Sequence, residues 1–297
     1  MPLIIPVLLI VLSRCFNQSE GVLIKKYNQK HGKGNFIFAS IISLSAMLFF
    51  LVKDVIIDPI GFYFPIEMLP YAIGAGVSYA LAYFTTCLAF KYGSFVLTAL
   101  IISYTILVTI IHGLIVGESI SILGWIGIFF ILCSLYLVKG NKNGDTIKIN
   151  KKWVICVVIT FITNGLFGIL LRQQQLDFQL TTGTKGIYDN EFMVLSLALS
   201  AIILFIIGIV KEKSEAKYIF KHGTLYAMGA GFANGICNLI NLYVYTLVPM
   251  TFFAPVSSGT GILVAFIISK FLYKEKFSKL QYLGVLLGAI ALVMFNL

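Results

Sequence analysis

IEMLPYAIGAGVSYALAYFTTCLAF (residues 66–90) and LYAMGAGFANGICNLINLYVYTL (residues 225–247) are two apolar runs of one chain, and reading them together decides the fold. Near the start of each stands the same tripeptide, Gly74-Ala75-Gly76 and Gly229-Ala230-Gly231, at an offset of 155 residues. Each run is also long enough to cross a bilayer, since a hydrocarbon core of about 30 Å takes about 20 apolar residues in an α-helix. The pair therefore reads as two membrane spans descended from one.

Working outward, apolar runs of similar length fill the chain. The first five spans fall near Pro2 to Ile24, Phe36 to Val52, Ile66 to Phe90, Phe95 to Val116 and Ile120 to Val138. Five more fall near Trp153 to Leu171, Phe192 to Val210, Leu225 to Leu247, Thr251 to Leu272 and Leu280 to Phe295. The expected fold is an all-α integral membrane protein of ten transmembrane helices. Residues 139–152 form the most hydrophilic stretch and read as a linker between a first half, residues 1–138, and a second, residues 153–297.

Further matches join the halves. Glu118, Ser121, Leu123 and Gly127 align with Glu275, Ser278, Leu280 and Gly284, with Trp125 facing Tyr282; Asn17, Gly21 and Lys25 align with Asn164, Gly168 and Arg172. Five spans is an odd number, so the second half starts from the opposite side of the bilayer. The chain is expected to be two inverted five-helix repeats, an architecture that lets one central site open to either face in turn.

Composition agrees. Only 11% of the 297 residues are charged, against about a quarter in soluble domains, and mean hydropathy is +0.96. The net charge of +10 comes from lysines scattered between apolar runs, without the continuous basic face that nucleic acid requires. Met1 to Ile24 lacks the leading basic residue and the small-residue cleavage site of a signal peptide and reads as a retained span. The five cysteines all fall in apolar runs with no Cys-x-x-Cys spacing and read as packing residues.

The span count, the duplication and the Gly117-Glu118 pair followed by Gly124 and Gly127, repeated as Glu275 followed by Gly284, resemble the drug/metabolite transporter superfamily and its ten-span EamA-type members. The aromatic-Gly pair common in that family's first span is here Phe16-Asn17, and the second Glu follows Lys274 instead of Gly. The resemblance implies secondary transport and a structural or gating role for Glu118 and Glu275. The plain reading of both is a solvated turn acid paired with a lysine such as Lys274 or Lys276.

Orientation is read from charge. Eighteen lysines, Lys25, Lys26 and Lys30 among them, follow odd-numbered spans, whereas only Lys53, Arg172 and Lys185 follow even-numbered ones. Basic loops stay in the cytoplasm, so both termini should face outward from the cell membrane.

The polar residues inside spans carry the candidate chemistry. Asn234, Asn238, Asn241 and Tyr245 stand at i, i+4, i+7 and i+11, one stripe of a helix. The repeat offset places Tyr79, Tyr83, Thr86 and Phe90 on the matching stripe. Facing lipid, such groups would cost several kcal/mol each, so they should face an interior that is either a hydrated cavity or interhelical glue. Arg14 falls near the middle of the first span, where an isolated Arg costs about 2.5–3.5 kcal/mol on the mildest scale. Asn17, Gln18 and Gly21 share its face, while Glu20 lies roughly 120° away around the helix. One reading has Arg14 receive an anionic group of the solute and Glu20 a proton or an amine. In the other, Arg14 snorkels or pairs with a Glu of another helix and Glu20 ends the buried turn.

His112 reads as a satisfied packing histidine, since no second ligand stands at metal spacing. Pro249 and Pro255, with the small residues from Ser257 to Gly261, predict a bend beside the cavity. Gly113/Gly117, Gly231/Gly235 and Gly284/Gly288 are small-xxx-small pairs that pack within the chain or between two copies, so a homodimer is a candidate assembly.

The expected site thus comprises Arg14, Asn17, Tyr79, Tyr83, Thr86, Asn164, Asn234, Asn238 and Asn241 for the solute, with Glu20, Glu118 and Glu275 in coupling or gating. No metal or other cofactor is expected. No phosphate loop for ATP is present, so a proton or other ion, exchange, or the solute gradient must drive movement. A zwitterionic metabolite such as an amino acid fits this set best, a sugar next, and a lipophilic cation less well because Arg14 repels it. A membrane-embedded enzyme would need an acid, base or metal cluster, and a channel a selectivity loop; the sequence shows neither.

Overall fold

The computed structural model describes residues 4–57, 62–93, 95–103, 105–138, 150–274 and 278–294, and all regular structure among them is helical. In chain order the helices are α1 (Ile4–Lys30), α2 (Asn35–Ile57), α3 (Leu69–Tyr92), α4 (Phe95–Ser103), α5 (Ile106–Ile115), α6 (Ile122–Val138), α7 (Lys151–Thr182), α8 (Asp189–Lys211), α9 (Ala216–His222), α10 (Thr224–Leu247), α11 (Met250–Phe271) and α12 (Lys279–Met294). A 3₁₀ turn, Ile66–Met68, leads into α3.

Six stretches are long and apolar enough to span a bilayer: Ile4–Lys30, Asn35–Lys53, Ile66–Tyr92, Lys151–Thr182, Asp189–Lys211 and Met250–Phe271. The chain is a multi-pass α-helical membrane protein. The remaining expected spans take other forms. Where one fourth span is read from hydropathy, α4 and α5 meet at a turn in which the Thr105 hydroxyl and amide both donate to the Ile102 carbonyl. α6 and α12 are 17 and 16 residues long, and α10, at 24 residues, carries the three asparagines of its stripe.

The bundle turns apolar side chains outward and places small polar ones in some of its seams. α8 turns Ile202, Phe205, Ile206 and Val210 outward and buries Ser196, Ser200 and Ala201. On the buried side the Ser43 and Ser200 hydroxyls are 3.1 Å apart, and Ser40 donates to the Ala201 carbonyl at 2.9 Å, joining α2 to α8. α3 packs on α7 and α8, and α10 packs on α1 and α2; α6 lies along α12, and α11 contacts α1, α4, α5 and α12.

The Gly-Ala-Gly tripeptides explain two of these seams. A Cβ on Gly76 would stand 2.9 Å from the Ser196 carbonyl of α8, and one on Gly231 would stand 2.4 Å from the Ile42 carbonyl of α2. Gly235 meets the Phe49 ring, and Gly288 meets Ser134 on α6, so these small residues serve packing inside the chain. Gly113 also serves packing inside the chain, since a Cβ there would stand 2.9 Å from the Thr251 side chain of α11, but Gly117 is a correction. Gly117 has φ +86° in the turn after α5, so its freedom serves the backbone and not a helix pair.

Helix lengths supply a second correction. α1 runs six residues beyond Ile24 and α7 eleven beyond Leu171, so Lys25, Lys26, Lys30 and Arg172 sit on helices and not in loops. Glu20 accordingly lies well inside α1 and does not end a turn. Pro249 caps α11, which continues as one helix through Pro255. Most of the expected linker, including residues 139–149, lies outside the described residues, as does Glu275.

Candidate functional site

α1, α3, α7, α10 and α11 surround a cavity of about 240 Å³. Its wall includes Arg14, Asn17, Gln18 and Glu20 from α1, Tyr79, Tyr83 and Thr86 from α3, Asn164 from α7, and Asn234, Asn238, Asn241 and Tyr245 from α10. The nine residues expected to meet solute, together with Glu20, are thus brought to one space. Glu118 is not among the lining residues.

The α3 and α10 stripes meet across this space. Tyr79 donates its hydroxyl hydrogen to Asn234 Oδ1, a contact between positions 155 residues apart. Asn238 Nδ2 donates to Tyr79 Oη at 3.0 Å and to Asn234 Oδ1 at 2.7 Å, and the Tyr79 and Tyr83 hydroxyls are 3.2 Å apart. Asn234 Nδ2 then donates to Glu20 Oε2 at 3.0 Å. Glu20, only 6% exposed, takes its hydrogen bond from a neutral amide.

Arg14 meets a similar but opposite environment. Its Nη2 donates to Asn241 Oδ1 and to Ser13 Oγ, both at 3.1 Å, and lies 3.6 Å from Cys237 Sγ. Its buried Nε has no partner, and among the described residues no carboxylate stands within ion-pairing distance of it. The expectation that Arg14 pairs with an acid of another helix is not met. The cavity therefore holds one cation and one acidic group, six residues apart on α1 and each bonded to a side-chain amide.

Cys237 is a lining residue that sequence reasoning assigned to packing. All five cysteines are free, but this one faces the cavity beside Arg14, Ser13 and Asn241. Its place in the α10 run, three residues beyond Asn234, sets it beside the polar stripe without distinguishing a lining residue from a packing one.

Glu118 departs furthest from its plain reading. Its carboxylate accepts from the backbone amides of Met250 (3.1 Å) and Thr251 (2.8 Å), the first turn of α11, and pairs with Arg172 Nη2 at 3.4 Å. It is a half-buried cap for another helix, paired with Arg172 and not with Lys274, while Lys276 lies outside the described residues. The preceding Gly117 allows the reversal that returns Glu118 to Gly113, whose carbonyl accepts the Glu118 amide at 2.9 Å. Arg172 also donates from Nη1 to the Tyr245 carbonyl at 2.9 Å. Glu212 plays a comparable part at α2, accepting from the Phe36 and Ile37 amides. His112 Nε2 lies 3.2 Å from Gln173 Oε1, and no group of three or more His, Cys, Asp or Glu that could hold a metal occurs among the described residues.

Fold and site together define a class: a multi-pass helical membrane protein with a polar, charge-bearing cavity between its helices. No family model and no curated protein matches the chain. Twenty-eight solved chains match it in structure. One, described as "Crystal structure of protein", aligns with a TM-score of 0.65 over 95% of this chain and 95% of its own length at 11% identity, so the likeness is one of fold.

Proposed function

We propose that this protein is a secondary transporter of a small polar solute, with ten spans arranged as two inverted five-helix repeats of the EamA type. The observation that carries this reading is the Tyr79–Asn234 hydrogen bond, in which positions related by the repeat offset meet across the cavity. The helix seams support it too. α3 on α7 has its counterpart in α10 on α1, and α3 on α8 has its counterpart in α10 on α2, while α2–α8 and α6–α12 are pairs of equivalents. An inverted repeat, with a two-fold axis in the membrane plane, would produce such exchanged partners.

The preferred solute is a zwitterion of the amino-acid class. Arg14 supplies a guanidinium with an unused buried donor, Glu20 an acidic group that takes an amine or a proton, and the amides and tyrosines between them solvate the rest. Both termini face outward on the charge argument. Uptake into proteoliposomes over a panel of amino acids, sugars and organic cations tests the proposal. Saturable uptake of an amino acid that Arg14→Ala removes is the expected result. Uptake confined to cations and indifferent to Arg14 would overturn the solute class, and no uptake of any panel member would count against transport.

A further inference from the structure

Building on the transport reading, we propose that Tyr245 is a door between the central cavity and a second one, and that the Arg172–Glu118 pair is the latch that holds it shut. The second cavity, about 310 Å³, is lined by Glu118, Arg172, Lys185, Tyr245 and Pro249 among others. Tyr245 lines both spaces. Its ring stands edge-on to Phe253 at 4.5 Å, so a pair of aromatic side chains from α10 and α11 stands in the wall of the central cavity.

The latch acts on both sides of the Val248–Pro249 connection. Arg172 holds the last turn of α10 through the Tyr245 carbonyl, and Glu118 holds the first turn of α11 through the Met250 and Thr251 amides. Because the two side chains also pair with each other, α10 and α11 are tied to α7 at the point where their rings meet. Breaking the pair frees both helix ends at once. Two cations against one carboxylate also leave this outer space net positive, which draws anionic or zwitterionic solutes toward the door.

The other end of the central cavity repeats the chemistry. Phe90, equivalent to Tyr245 by the 155-residue offset, lines the cavity and stacks on Phe95 with ring centroids 5.3 Å apart. Lys25, equivalent to Arg172, stands 5.8 Å from the Phe95 ring. Both rings pack on Gly21, seven residues along α1 from Arg14, whereas Tyr245 lies one turn beyond Asn241, the residue that Arg14 bonds. The two aromatic pairs therefore stand toward opposite ends of the cavity.

The native Cys237, which lines the central cavity, reports on both doors. Cys15, Cys87, Cys133 and Cys156 are replaced by Ala, and an anionic, membrane-impermeant methanethiosulfonate is applied to right-side-out and inside-out vesicles. Tyr245→Ala should raise the Cys237 labelling rate about tenfold from one face only, the change that about 1.4 kcal/mol of closed-state preference produces. Phe90→Ala should raise it from the other face. Glu118→Gln, which keeps one capping oxygen but loses the ion pair, should act from the same face as Tyr245→Ala and serves if that variant does not assemble. A rise from the same face for both doors, from both faces for either, or no rise at all overturns the proposal. Labelling needs no solute, so a protein inactive on the uptake panel would still report on its doors.

Discussion

Arg14 concentrates the account at the scale of one residue. A guanidinium inside a bilayer is tolerated when its donors are met, and here Asn241 and Ser13 meet two contacts while Nε stays unused. Arg14→Ala should therefore lower transport roughly tenfold to a hundredfold, the range that about 1.5–3 kcal/mol for a charged hydrogen bond spans. The measurement is initial uptake rate at fixed solute, beside a melting curve showing that the fold persists. Glu20→Gln keeps the bond from Asn234 but removes the ionisable group. If Glu20 carries the coupling proton, uptake by this variant should no longer vary with pH; transport already independent of pH in the native protein, and unchanged in the variant, would remove the coupling role. Asn238→Ala and Tyr83→Phe separate cavity from glue, because loss of transport with an intact fold supports the cavity, and loss of stability with intact transport supports glue.

At the scale of an element, α11 shows how one distant side chain sets where a helix begins. Pro249 offers no amide, so the first free donors are Met250 and Thr251, and Glu118 takes both. Glu118→Ala would leave these amides and the Arg172 guanidinium without their carboxylate. It should destabilise the protein by about 1.5–3 kcal/mol, read as a drop in thermal midpoint in detergent, more than Glu118→Gln does. Gly231→Leu should prevent α10 from closing on α2, since even a Cβ meets the Ile42 carbonyl at 2.4 Å; loss of the folded monomer on size exclusion checks it. The elements themselves were legible in the hydropathy, but several of their ends were not. Apolar content fixes the middle of a span, while the polar ends of α7 are satisfied by protein: Gln175 bonds Asp189 and Gln173 bonds Asp177. Those residues read as loop only while their partners are unknown. The partner of Glu118 was likewise illegible, because Arg172 lies 54 residues away and no local pattern announces it.

Over the whole molecule, the proposed duplication organises what single residues leave disconnected. The offset of 155 relates Tyr79 to Asn234 and Phe90 to Tyr245, and it was readable from one tripeptide because those glycines serve the same close helix approach in both halves. The stripe of α10 was readable for a related reason, since three amides on one face demand an interior. Cys237 was not, because an apolar position beside a polar stripe looks the same whether it packs or lines a cavity. Orientation belongs to this scale as well. A C-terminal reporter active only in the cytoplasm should stay silent, and activity there would reverse the inside–outside assignment.

The central claim is movement of a solute through the cavity that Arg14 and Glu20 share, and counterflow tests it most directly. Proteoliposomes preloaded with an unlabelled amino acid and diluted into its tracer should show transient accumulation above equilibrium, absent from Arg14→Ala and from protein-free vesicles. Tracer that never exceeds the protein-free level for any amino acid, sugar or organic cation, with protein that is folded and reconstituted, would contradict the account.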